Sequence, residues 1–244
     1  MTAAPEWRLV RHDTLPSTSD ACIAEAQAGA PAGLAIQARI QTKARGSRGR
    51  SWSEAAGTLA VSVLLRPKAR LAWPLLAAVA FHDALSLLPK HAEALRLKWP
   101  NDVMLHGRKL GGILIEASPS AAGPFFADDG WLVIGFGANL ASAPALADRH
   151  AACLAELGDC PDADALVDRL LKSLTCGLAA GERDLREAWL ARAHPEGTWL
   201  EVGTTQGVVQ GSFASIAADG ALLLDVAGTI RRLTSGDVLL PQGA

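Results

Sequence analysis

Residues 98–116 read KWPNDVMLHGRKLGGILIE. Just before and into this stretch, Leu95, Leu97 and Trp99 alternate with Arg96 and Lys98, which predicts a strand with one charged face. Pro100, Asn101 and Asp102 must turn it. Residues 103–105 and 110–116 then read as the arms of a hairpin around His106 and Gly107. Lys109 is followed by Gly111 and Gly112 inside the second arm. Glycine weakens a strand interior, and one common reason for it is close approach of a ligand. A plain hairpin with an exposed lysine fits the spacing equally well.

Working outward, residues 7–10, 34–39, 58–65 and 131–138 are further strand candidates, with the run TLAVSVLL at 58–65 ended by Pro67 and 131–138 of buried type. Helices are predicted at 18–28, 73–87 and 182–193. Another follows from Leu166, Val167, Leu170, Leu171, Leu174 and Leu178, which recur at helical spacing. After Pro195, Glu196 and Gly197 only short β-like pieces follow, punctuated by Gly203, Gly207, Gly220, Gly228 and Gly236. The expected architecture is an α/β (α+β) catalytic domain, 1–194, with a mixed β-sheet and flanking helices. A small C-terminal β-barrel, 195–244, is expected to dock on it, because about 50 residues hold only a marginal core alone.

The 244 residues are 50% hydrophobic and 20% charged, a globular composition. A formal net charge of -2 argues against general polyanion binding. Cys22, Cys153, Cys160 and Cys176 are scattered, with no C-x-x-C pair, and read as small residues in a reducing compartment. No apolar run reaches the roughly 18 residues of a membrane span, and no signal-peptide core is present. A cytoplasmic protein is expected.

Against that acidic background, residues 39–50 (RIQTKARGSRGR) carry five basic residues and no acid. Arginine forks grip phosphate and glycines admit backbone amides to it, so a nucleotide or acyl-phosphate suits this loop better than a long nucleic acid. Like charges on Lys43, Arg45, Arg48 and Arg50 repel, which predicts a mobile loop until an anion pairs them. Ser17, Thr18, Ser19 and Asp20 form a capping box that also offers hydroxyls and amides to a polar ligand. In VIGFGANL, residues 133–140, Leu140 stands where a dinucleotide fingerprint needs its third glycine, so Asn139 is the residue of interest there, as a polar contact or a turn cap. No P-loop motif occurs.

In order along the chain, S-T-S-D, Q-T-x-x-R-G-x-R-G-R-x-W, K-W-P-N-D with K-L-G-G-I-L-I-E, and G-x-G-x-N-L resemble the biotin protein ligases, from Ser17 to the terminal segment. The resemblance implies a catalytic domain followed by an SH3-like β-barrel, without room before Ser17 for the DNA-binding domain of the regulatory members. It implies activation of biotin with ATP to biotinyl-5′-adenylate, then transfer to one lysine of the biotin carboxyl carrier domain of a carboxylase. Biotin contacts would fall on Ser17, Thr18, Ser19, Gln41, Arg45, Gly46, Ser47, Lys109 and Gly112. ATP contacts would fall on Arg48, Arg50, Trp52, Asn101 and Asn139, with Trp52 stacked on adenine. Lys109, Arg45 and Asp102 would be the catalytic set, Asp102 assisting the acceptor amine as a base or by orienting it. Mg2+ would arrive with ATP rather than in a protein cage, so no metal ligands are assigned. A homodimer is compatible with the resemblance, and neither DNA nor membrane is expected as a partner.

Three positions depart from the family pattern. Ser19 stands where Asn is frequent, Ala44 where Gly is common, and Ser47 where a further arginine is common. The rival enzyme reading is a lipoate or octanoate ligase of the same fold. That family lacks the K-W-P-N-D and R-G-x-R-G-R pair, and its octanoyl transferases need a thioester cysteine, which no motif segment here carries. The rival from another class is a nucleic-acid-binding module that uses the arginine loop.

Overall fold

The computed structural model describes residues 5–50, 52, 57–68, 71–119, 130–145, 151–158, 160–180 and 182–239. Seven strands form the main sheet: β1 (Arg8–Leu15), β2 (Leu34–Gln41), β3 (Thr58–Leu65), β4 (Leu95–Lys98), β5 (Asp102–Leu105), β6 (Arg108–Ala117) and β7 (Leu132–Asn139). Their order is β1-β2-β3-β7-β6-β5-β4. β1 runs parallel to β2, and the other neighbours are antiparallel, so the sheet is mixed as expected.

The two faces of this sheet differ in a way that creates a site. From β3 and β7, Leu59, Val61, Val63, Ile134 and Phe136 point to one face. There they pack under α2 (Trp73–Leu85) and α4 (Ala163–Ala179). On the other face α1 (Thr18–Gln27) covers Leu34, Ile36, Leu64 and Val133 through Cys22 and Ala26. Burial pushes the Cys22 thiol up to about 12, which fits an apolar filler. Beyond α1 the same face carries small residues: Gly112, Gly135 and Gly137 on β6 and β7, with Ala60 and Ser62 on β3. A floor of glycines leaves room above it.

Strong local signals translate directly into elements. Ser17 is the N-cap of α1 and its hydroxyl accepts from the Asp20 amide at 3.3 Å. Pro74 sits in the first turn of α2. β1 continues through polar residues to Leu15, because its parallel pairing with β2 extends that far. The short α3 (Pro89–Ala94) is an addition to the expected elements, being too brief to show a period. α5 (Glu182–Arg192) lies where the sequence predicts a helix.

The barrel expectation is overturned. β8 (Trp199–Thr204), β9 (Gly207–Ile216), β10 (Leu222–Val226), β11 (Thr229–Leu233) and β12 (Asp237–Leu239) form an open antiparallel sheet in the order β11-β10-β9-β8-β12. Among the described residues β11 and β12 are separate edges, and no SH3-like barrel closes. The five strands and their glycine punctuation are legible in the sequence; closure is not. One face of this sheet, with Leu200, Val202, Phe213, Leu224 and Val238, is apolar and joins the main core beside Trp99 and Trp189. A sheet that buries its single apolar face on a neighbour does not have to curl up to bury it on itself. The seam is also hydrogen-bonded: Trp99 Nε1 donates to Gly220 O at 2.9 Å and Arg186 Nε to Ile216 O at 2.6 Å.

Candidate functional site

A pocket opens on the glycine-floored face and is lined by Ser17, Thr18, Ser19, Gln41, Arg45, Gly46, Ser47, Trp52, Asn101, Lys109 and Gly112, together with Ile113, Leu114, Gly135, Phe136 and Gly137. Four separate segments singled out in the sequence therefore meet at one place.

One end is built from hydroxyls. Gln41, last residue of β2, accepts through Oε1 from the Thr18 amide at 2.8 Å and from Thr18 Oγ1 at 3.1 Å. Ser62, fully buried on β3, has its Oγ 2.9 Å from Thr18 Oγ1 and 3.1 Å from Ser19 Oγ. Sequence reasoning misses Ser62; its only signal there is that, past the leading threonine, it is the one polar residue inside TLAVSVLL.

Charge sits at the other end, and a β-bulge brings it there. β5 and β6 pair as Asp102↔Gly112 and Val103↔Gly111, then skip to Met104↔Lys109. The extra residue, Leu110, turns Lys109 onto the face of Asp102 and Gly112, where strict alternation would have sent it the other way. Lys109 Nζ meets Asp102 Oδ1 at 2.5 Å and Lys98 Nζ meets Asp102 Oδ2 at 3.1 Å. Burial pushes the Asp102 carboxyl up, but the two lysine charges and their hydrogen bonds outweigh it and hold it below the usual range. Asp102 is thus an ionised carboxylate with both oxygens engaged, lying beneath Lys109 rather than in the pocket lining.

The glycines have physical reasons. A Cβ on Gly111 would clash with Gly137 O at 2.9 Å and the Phe81 ring at 3.0 Å. A Cβ on Gly112 or Gly137 would press on the Trp52 indole at 3.3 and 3.4 Å. The close approach in the second hairpin arm is thus that of Trp52, whose ring centre is 5.5 Å from Lys109 Nζ, a cation–π distance. Trp52 Nε1 is buried without a hydrogen-bond partner among the described residues.

Two cations of the arginine loop, Arg45 and Arg50, are paired from outside it. Arg45 pairs with Glu116 at 3.0 and 2.6 Å and with Asp20 at 2.8 Å. Arg50 reaches Asp237 of β12 at 3.3 Å, and Asp237 also faces Lys98 at 3.6 Å. Acids from α1, β6 and β12 therefore offset part of the repulsion that the loop sequence alone predicts. Gly46 N donates to Arg50 O at 2.7 Å, closing the turn around Ser47. Asn101 Nδ2 donates to Ile113 O at 2.6 Å and holds the K-W-P-N-D turn on β6.

Some expected contacts do not line the pocket. Arg50 is turned to Asp237. Asn139 is buried, donates to Ala152 O at 3.0 Å, and its Oδ1 has no partner among the described residues. The side chain of Arg48 lies outside the described residues. Gly135 and Gly137 belong to VIGFGANL, where a dinucleotide fingerprint is the wrong test for them: their role is to leave the floor bare.

Known proteins are similar to this chain in sequence and in fold. Residues 13–123 match the biotin/lipoate A/B protein ligase family. A biotin–[acetyl-CoA-carboxylase] ligase of Paracoccus denitrificans is 36% identical over 203 residues, covering 78% of this chain and 82% of that protein. One from Mycobacterium tuberculosis is 33% identical over 236 residues, covering 91% and 85%. A biotin protein ligase from Aquifex aeolicus, solved in complex with biotin and ATP, superposes with a TM-score of 0.77 at 25% identity, covering 95% of this chain and 97% of that one.

Proposed function

We propose, from the premise that this chain belongs to the biotin protein ligase family, a division of labour among its pocket residues. The activity is ATP- and biotin-dependent ligation, and the family's chemistry implies a biotin carrier protein as the acceptor. The single observation that carries the assignment is one pocket lined both by the neutral hydroxyls of Ser17, Thr18 and Ser19 and by the cations Arg45 and Lys109. That combination suits a molecule with a hydrogen-bonding ring and an anionic tail.

The ring of biotin lies against Ser17, Thr18, Ser19 and Gln41, with its carboxylate directed to Lys109 and Arg45. In the first step a carboxylate oxygen attacks the α-phosphorus of ATP, the bond to the β-phosphate breaks, and diphosphate leaves. Both partners are anions, so fixed cations lower the barrier by screening them as charge moves to the departing oxygens. Lys109 is held for this by Asp102, which is in turn steadied by Lys98. Gly46 and Ser47 close the loop side, Gly112 lets Trp52 lie flat, and Asn101 keeps the turn beneath them in register. Arg48, Arg50, Trp52 and Asn139 form the nucleotide side. The unpartnered Trp52 Nε1 and Asn139 Oδ1 are buried polar atoms of the kind a ligand satisfies.

In the second step the neutral acceptor amine attacks the acyl carbon, the mixed anhydride breaks, and AMP leaves while the nitrogen loses a proton. Asp102 is a poor base for that proton, since its carboxyl is held below the usual range and both oxygens are engaged. Its role is to orient cations. The carboxylates nearest the pocket, Asp20, Asp102 and Glu116, are each paired with a cation, and no group of three metal-binding side chains occurs among the described residues. Mg2+ would arrive on the ATP phosphates, the usual way this small hard cation reaches a phosphoryl-transfer site. Residues 195–244 form a second unit that supports the charged end through Asp237 and takes part in recognising the carboxylase carrier domain. Among the described residues no helix is long and apolar enough to cross a membrane.

The test is diphosphate release from ATP. It should require biotin, and lipoate or octanoate should not replace it. Release supported equally by lipoate would favour the rival ligase reading.

A further inference from the structure

We infer that Ser62, a core residue of β3 outside the pocket lining, is a positioning residue that sets the direction of the Ser19 hydroxyl proton at the hydroxyl end of the pocket. This rests on the assignment of that end to the ring of biotin.

The argument is proton accounting. The Thr18 amide donates to Gln41 at 2.8 Å, so the atom it meets is the amide oxygen, and the orientation of that side chain is settled. An amide oxygen cannot donate, so the Thr18 hydroxyl, 3.1 Å away, must spend its only proton on it. Thr18 Oγ1 can then only accept from Ser62, at 2.9 Å. With its proton committed, Ser62 can only accept from Ser19, at 3.1 Å. The chain runs one way: Ser19 to Ser62 to Thr18 to Gln41. Without the Ser62 link, nothing in this chain decides where the Ser19 proton points.

The consequence is in what the ligand meets. Ser19 and Thr18 line the pocket with their protons turned inward, so their free lone pairs make this wall an acceptor surface. An acceptor wall selects a ring that offers N–H donors, as a cyclic urea does, and disfavours one that offers only lone pairs. Gly135 is part of the device. A Cβ there would come within 2.6 Å of Ser19 Oγ and 3.2 Å of Ser62 Oγ, so the chain exists only because that floor position has no side chain.

Ser62→Ala should therefore raise the KM for biotin about tenfold, the scale of one lost or misdirected hydrogen bond. KM for ATP and kcat should stay within about threefold. A readout that mere loosening of the core would not move is a biotin analogue methylated on a ring nitrogen. Ser62→Ala should cost much less on the analogue than on biotin, because the donor that the wall selects is gone. Ser62→Cys, nearly isosteric with a weak donor, should fall between wild type and Ser62→Ala, and it keeps the test available if Ser62→Ala does not fold. Equal penalties on biotin and analogue, a KM within twofold of wild type in folded Ser62→Ala, or, where only Ser62→Cys folds, a KM for biotin indistinguishable from wild type, would overturn the role of Ser62. Wild-type protein that releases no biotin-dependent diphosphate would overturn the functional assignment, and this inference with it.

Discussion

Replacing Lys109 with alanine separates two effects that the fold has joined. Lys109 Nζ lies 2.5 Å from Asp102 Oδ1, and Asp102 is only 6% exposed. From sequence, a lysine beside glycines reads as a charge that can be removed with little loss of stability; its buried partner changes that. The variant leaves an ionised carboxylate with Lys98 as its remaining lysine, at 3.1 Å. Breaking a buried pair outright costs about 3–5 kcal/mol. Since Lys98 stays, we expect the smaller loss of about 2 kcal/mol typical of one hydrogen bond to a charged group. For a chain of this length that lowers the melting temperature by about 4–8 °C. Adenylate formation should fall further, by about 10²–10³-fold, the cost of removing one preorganised charge from a developing anion. The double variant Lys109→Ala/Asp102→Asn removes the uncompensated carboxylate, and should recover much of the stability and none of the activity. The assays are thermal unfolding and biotin-dependent diphosphate release on all three proteins. Release within a few fold of wild type in folded Lys109→Ala refutes the charge-screening role. A double variant no more stable than the single refutes the buried-charge account.

Ser47→Arg should slow release of biotinyl-adenylate about tenfold or more, by adding one charge-assisted contact at a pocket-lining position; equal off-rates by rapid filtration would show that retention rests elsewhere. Deleting residues 196–244 uncovers Trp99 and Trp189, so the remaining chain should melt earlier and lose transfer to the carrier; unchanged melting by calorimetry would mean that the second sheet contributes nothing to the core. His194 is held below the usual histidine value by burial and then by the charges of Lys98 and Arg96, with Nε2 unpartnered among the described residues. A histidine kept neutral in the fold contributes stability that is present above about pH 6.5 and lost as pH falls through its depressed folded value. His194→Gln should flatten that loss in urea unfolding between pH 8 and 5, and parallel pH profiles would assign the loss to other groups.

What the sequence determined by itself was local and periodic. Ser17 announces the start of α1 because a cap needs only its own next three residues. The strands, the helical spacing of Leu166 to Leu178 and the glycine-cut pieces after residue 195 are equally short-range signals. The motif order was also enough to point to the family, and with it to most of the residues that line the pocket. Tertiary structure decided the rest, because the deciding partner lay far along the chain. Lys109 reaches the site through a bulge that depends on pairing with β5. Asp20, Glu116 and Asp237 pair Arg45 and Arg50 of the arginine loop from three other elements. Ser62 looks like a flaw in an apolar strand until Thr18 and Ser19 are folded against it. The terminal sheet stays open because its apolar face found Trp99 and Trp189, and no pattern within residues 195–244 records that cover.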